Sequence, residues 1–110
     1  MTPGEFQKVA ARVDLSGFPI RLRLGVCQAY GGLRLSVDLI NVQDREDRSP
    51  TIVHHVETLS DYSLGHFTED SFIEYLWRFA GRAVVHELDE HFLVDGARRF
   101  DPHANRGIAP

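Results

Sequence analysis

Two alternating runs on either side of Tyr30-Gly31-Gly32 constrain this chain more than any other feature. Ile20, Leu22, Leu24 and Val26 alternate with Arg21, Arg23, Gly25 and Cys27. Leu33, Leu35, Val37 and Leu39 alternate with Arg34, Ser36, Asp38 and Ile40. A period of two puts each apolar set on one face of a strand. A glycine-rich break between two such runs is a hairpin signal. A Gly31-Gly32 loop pairs Val26 with Val37 and Leu24 with Leu39; a Tyr30-Gly31 loop pairs Arg23 with Asp38. Both registers keep the apolar face intact. The Gly31-Gly32 loop is expected, because glycine takes a positive φ at both loop positions and tyrosine resists it.

Gln43 to Pro50, QDREDRSP, reads as an exposed connection of mixed charge. Thr51 to Leu59 is β-rich and reads as a third strand, with Pro50 at its start, where a proline is tolerated. Ile52, His54 and Val56 share one face; Val53, His55 and Leu59 share the other. Such two-sided character suits a central strand, or an edge that another element covers.

A long helix follows. Thr68 is a good N-cap, Glu69 and Asp70 suit the positive helix end, and Phe67 and Phe72 have the spacing of a hydrophobic staple. No proline interrupts the stretch to about Phe92, roughly 36 Å of helix. Phe72, Ile73, Leu76, Phe79, Ala80 and Ala83 form the face expected on the sheet. Trp77, Val84, Val85, Leu88 and Phe92 continue around the cylinder, more apolar circumference than a lone surface helix needs. Either the N-terminal segment or another subunit must cover it, and partner contact is favoured; exposed Trp77 or Phe92 is its signature. Near the N-terminus, Phe6, Val9, Ala10 and Val13 fit a short amphipathic helix over 5–13, with a flexible arm or short strand competing.

These elements predict an α+β fold: an antiparallel three-stranded sheet with a long C-terminal helix packed on one face. The 110 residues suffice for one small domain spanning 1–110, with 1–16 and 101–110 as candidate flexible ends. Apolar residues at 43% and charged residues at 25% are ordinary globular values and argue against a wholly disordered chain. A formal charge of −4 disfavours nonspecific nucleic-acid binding. No apolar run is long enough for a membrane helix, and MTPGEFQKVAARVD lacks the layout of a secretion signal. Cys27 is the only cysteine, so no intramolecular disulfide forms.

His86-Glu87-Leu88-Asp89-Glu90-His91 resembles a zinc-protease helix but does not match one. HExxH needs histidines four apart, whereas His86 and His91 lie about 140° apart around a helix. His86 with Glu90, and Glu87 with His91, are neighbours at i,i+4 spacing. A buried carboxylate–histidine hydrogen bond would satisfy such residues without any chemistry. Glu87 and His91 are the weak metal alternative, with His54, His55, His66 or His103 as further candidate ligands. Adjacent His54 and His55 point to opposite strand faces and should not chelate together. Arg21, Arg23 and Arg34 form a basic patch moderated by Asp38 and Glu57. No phosphate-binding loop, dinucleotide fingerprint, zinc-finger spacing or serine elbow is present, and no cofactor is expected.

Residues 86–103, HELDEHFLVDGARRFDPH, end a helix in acidic and histidine residues, turn at Asp95-Gly96, and continue through Phe100-Asp101-Pro102-His103. This segment resembles a group of small, poorly characterised proteins encoded by actinobacterial phages. The resemblance implies a phage setting and transfers no catalytic residue. Arg98, Arg99 and Phe100 read first as intrachain capping of the long helix, with an aromatic docking anchor flanked by donors as the competing role. Together these features point to a noncatalytic phage accessory or virion-assembly protein, working in the host cytoplasm or the assembled virion. Its partner would be another protein or a second copy, through Trp77, Leu88, Phe92, Arg98, Arg99 and Phe100. An inhibitor of a host factor and a small metal-dependent hydrolase are the alternatives.

Overall fold

A computed structural model of the chain describes residues 1–18, 20–43 and 50–90; the side chains of 41–43, 50, 51 and 88–90 lie outside that description. The elements are α1 (Pro3–Ala11), β1 (Arg21–Ala29), β2 (Gly32–Gln43), β3 (Pro50–Ser60), a one-turn helix α2 (Asp61–Leu64) and α3 (Glu69–Glu90). The strands form one antiparallel sheet in the order β1-β2-β3. The fold is the expected α+β class, with α3 packed against the sheet. No helix among the described residues is long and apolar enough to cross a membrane.

The N-terminal stretch is a packed helix, not a free arm. Thr2 and Glu5 close a reciprocal capping box, and Pro3 occupies the first turn, where its missing N–H costs nothing. Phe6 and Val9 are buried, and α1 lies against both β1 and α3. An isolated helix of this length is marginal in water, so docking of Phe6 and Val9 is what holds it.

The hairpin register is Arg23↔Asp38, Leu24↔Val37 and Val26↔Leu35. The loop is therefore Tyr30-Gly31, and the expected Gly31-Gly32 loop is corrected. Gly31 takes the left-handed φ of 74°. Gly32 is used differently: it begins β2 and pairs with Ser60, and a Cβ there would sit 1.8 Å from the Leu59 carbonyl oxygen. The glycine needed for close backbone approach looked like a second turn glycine in the sequence. Asp61 N–H donates to the Gly31 carbonyl at 2.8 Å, tying the hairpin tip to the end of β3.

The central strand is β2, and β3 is an edge. Leu33, Leu35, Val37 and Leu39 are fully buried on the inner face of β2. Against them lie Phe72, Leu76, Ala80 and Val84 of α3, also with no exposed surface. Phe6 meets Phe72 edge-on at 4.7 Å, and Phe67 meets Phe72 at 5.4 Å, which forms the expected staple. Thr68 caps α3 reciprocally with Ser71: Ser71 N–H donates to Thr68 Oγ1 at 3.2 Å, and Thr68 N–H to Ser71 Oγ at 2.9 Å.

Trp77 overturns one expectation. It is buried and stacks on Phe18 with ring centroids 4.4 Å apart. The apolar circumference of α3 is covered within the chain through Val84, apart from half-buried Ile73; Val85 is exposed. Of the two covers expected, it is the N-terminal segment, through α1 and the connection that carries Phe18, and not a partner, that covers it.

Gly32→Ala is expected to cost about 3 kcal/mol, because neither backbone can yield without breaking the β2–β3 ladder. Gly31→Asn should cost no more than about 1–2 kcal/mol, since asparagine visits the left-handed region. Urea unfolding midpoints measure both.

Candidate functional site

Polar chemistry enters the inner layer at the junction of β3 and α3. Strand alternation turns His55 and Glu57 toward the helix, beside Val53 and Leu59. From α3, Tyr75, Phe79, Arg82, Ala83 and His86 recur at helical spacing along the facing stripe. Between them lies an open cleft of about 430 Å³ lined by His55, Glu57, Phe79, Arg82 and His86 among others. His55 Nε2 lies 2.7 Å from Glu87 Oε1, and Glu87 is only 3% exposed. A carboxylate taken that far from water requires such a partner. The His55 and His86 rings meet edge-on at 5.6 Å.

Beside this pair, Tyr75 donates its hydroxyl to Glu57 Oε2 at 2.5 Å, and Arg82 reaches the same oxygen at 3.3 Å. Burial, with the Glu57 carboxylate beside it, pushes the Tyr75 hydroxyl above its ordinary pKa. The arrangement closes the polar rim of the core. It brings no serine, threonine or cysteine to the described cleft lining, and no three of His, Cys, Asp or Glu converge as a metal site among the described residues.

Glu87, singled out in sequence, therefore bonds across to His55 of the sheet. Its expected neighbour His91 lies outside the described residues, as do Phe92, Arg98, Arg99 and Phe100; Leu88 is in α3 with its side chain outside the description. Trp77 belongs to the core. The His55–Glu87 bond was half-visible: strand parity turned His55 inward, and Glu87 sat on the sheet-facing helix stripe.

The outer face of the sheet has no element of the described chain packed over it as α3 covers the inner face. Register sets Arg23, Asp38 and His54 in one row across β1, β2 and β3. Arg23 donates to Asp38 Oδ2 at 2.9 Å, and His54 Nδ1 contacts Asp38 Oδ1. Bonding to His54, then to Arg23, holds the Asp38 carboxyl below the usual aspartate range. The next row outward is Arg21, Ile40 and Ile52, and the next inward is Gly25, Ser36 and Val56. The arginine patch is thus partly neutralised by Asp38; Glu57 faces the opposite side and moderates Arg82.

The two sheet edges differ. Along β1, α1 packs against the strand, Gln7 Nε2 donates to the Val26 carbonyl at 3.3 Å, and Arg21 and Arg23 are exposed. Charge and cover of this kind blunt an edge. Along β3, which spans Pro50–Ser60 with no lysine or arginine, Ile52 is 60% exposed and Val56 is 49% exposed. Among the described residues β3 pairs with β2 alone. The sequence signal for this site was Ile52, His54 and Val56 on one face, which was read as a central strand or an edge that another element covers.

No family model matches the chain, and no curated protein or solved structure matches it.

Asp38→Asn tests the cross-strand row. A depressed carboxylate stabilises the fold above the ordinary aspartate pKa, and the gain is lost as pH falls through the depressed value. The stability gap between wild type and Asp38→Asn should be constant above about pH 5 and close below about pH 4. Denaturant melts from pH 2 to 7 measure it.

Proposed function

We propose that this protein is a noncatalytic accessory or assembly factor that acts by protein–protein contact, and that the contact surface is the β3 edge with its outer apolar pair. The observation that carries the reading is the contrast, among the described residues, between a guarded β1 edge and an open β3 edge presenting Ile52 and Val56. Unpaired strand N–H and C=O groups give a partner strand its affinity, and alternate side chains give it selectivity. This moves the expected surface from α3, where Trp77 is buried, to the opposite side of the sheet. The phage setting, in the host cytoplasm or the virion, rests on the likeness of residues 86–103 alone. A partner that is a host factor to be inhibited would use the same edge.

The metal-dependent hydrolase has less support, because Glu87 is engaged by His55 and the described residues gather no ligand set around it.

A fluorescent peptide of residues 50–60 provides a strand of known sequence for the edge. Its anisotropy should rise on titration with the protein. An Ile52→Lys/Val56→Lys protein, with both changes on the solvent side, should weaken that binding by about tenfold or more, equivalent to about 1.4 kcal/mol. No binding by the wild type at concentrations where it has the single-chain mass sinks the reading.

A further inference from the structure

We infer that the occupant of the β3 edge is a second copy of this chain, its β3 antiparallel to the first, with the two-fold axis at His54. The inference rests on the edge reading above and adds the partner and the register.

Three observations converge. First, the edge is self-complementary in one register. A two-fold at His54 sets Ile52 of each copy against Val56 of the other, so both exposed apolar residues of the strand meet on the same face. Residues 51, 53, 55 and 57 pair among themselves on the other face, so outward backbone groups meet outward backbone groups. A two-fold at His55 instead faces Ile52 with Thr58 and Val53 with Glu57, setting apolar against polar.

Second, no carboxylate meets a carboxylate across the joint. Each His54 is held by its own Asp38, which is held by Arg23. The central row becomes Arg23, Asp38, His54, then the same three in reverse from the second copy. Each imidazole keeps a carboxylate on its inner side, and the β3 carboxylate Glu57 faces position 51, a threonine.

Third, the assembly closes. Among the described strands, joining two β3 edges leaves only β1 edges outside, and each is covered by α1, Gln7 and arginines. Pairing β3 with a β1 edge would propagate without end and meets that cover. The expected product is a six-stranded sheet with helices on one face.

The test joins mass to position. Multi-angle light scattering of the full chain should give twice the chain mass at micromolar concentration, and Ile52→Lys/Val56→Lys should return it to the single-chain mass. In a Cys27→Ser background, which removes the exposed native thiol, His54→Cys should form an intermolecular disulfide under mild oxidation. Directly opposed strand residues have Cα atoms about 4.5–5.5 Å apart, inside the disulfide range. Ile52→Cys alone should not cross-link, because its own counterpart lies four residues along the ladder. Ile52→Cys/Val56→Cys should cross-link with His54 intact, which covers the case where His54→Cys disturbs Asp38.

A dimer that cross-links through neither His54→Cys nor the double variant overturns the inference. So does a single-chain mass at every concentration. If the monomer still binds the 50–60 peptide, the second-copy inference fails and the edge reading stands. If it does not, both fail.

Discussion

The structure depends on one apolar contact: the inner row of β2 against the stripe of α3 that runs from Phe72 to Val84. Leu33, Leu35, Val37 and Leu39 lose all contact with water, and so do Phe72, Leu76, Ala80 and Val84. Burying such side chains contributes about 1.5–3 kcal/mol each, against the entropy of ordering the chain. Everything else is arranged around that seam. α1 closes one flank with Phe6 and Val9, and Phe18 closes another by stacking on Trp77. The edge strand β3 completes the sheet but gives its inner face partly to polar residues.

That polar share has a physical logic. β3 lies under the margin of α3, where water reaches the cleft. At such a margin a purely apolar strand would expose surface, whereas His55 and Glu57 bond to the helix with Glu87, Tyr75 and Arg82. A carboxylate–imidazole bond at a buried rim fixes the helix relative to the strand, because a slipped register leaves a polar group unpaired. These bonds tie the edge strand to the helix, and among the described residues the cleft gathers no metal set. The outer face repeats the device in the open, where Asp38 links β1 to β3 through Arg23 and His54.

The strands, the capped start of α3 and the inner face of the hairpin were legible because each is encoded by local period or local spacing. Thr68 with Phe67 and Phe72 is a local pattern, and it formed as expected. What escaped was set by distance. Gly32 is required by Leu59, far along the chain, so turn chemistry alone misassigned the loop by one residue. Trp77 looked like an interface because its cover, Phe18, sits in a turn-rich stretch with no period of its own. The strand order that leaves β3 at an edge is a topological fact, and alternation cannot separate a central strand from an edge with one apolar face out. His55 and Glu87 were each visible, but their meeting depended on where α3 crosses the sheet.

The contact between Phe6 and Phe72 joins α1 to α3, with all three strands lying between them in the sequence. Closing so large a loop is slow, and it cannot begin until α3 has been synthesised. Until then α1 is too short to hold itself and the inner row of the hairpin has no roof. A chain in which α3 has not yet emerged therefore exposes its greasiest strand face, and until that roof arrives the face can stick to other nascent chains.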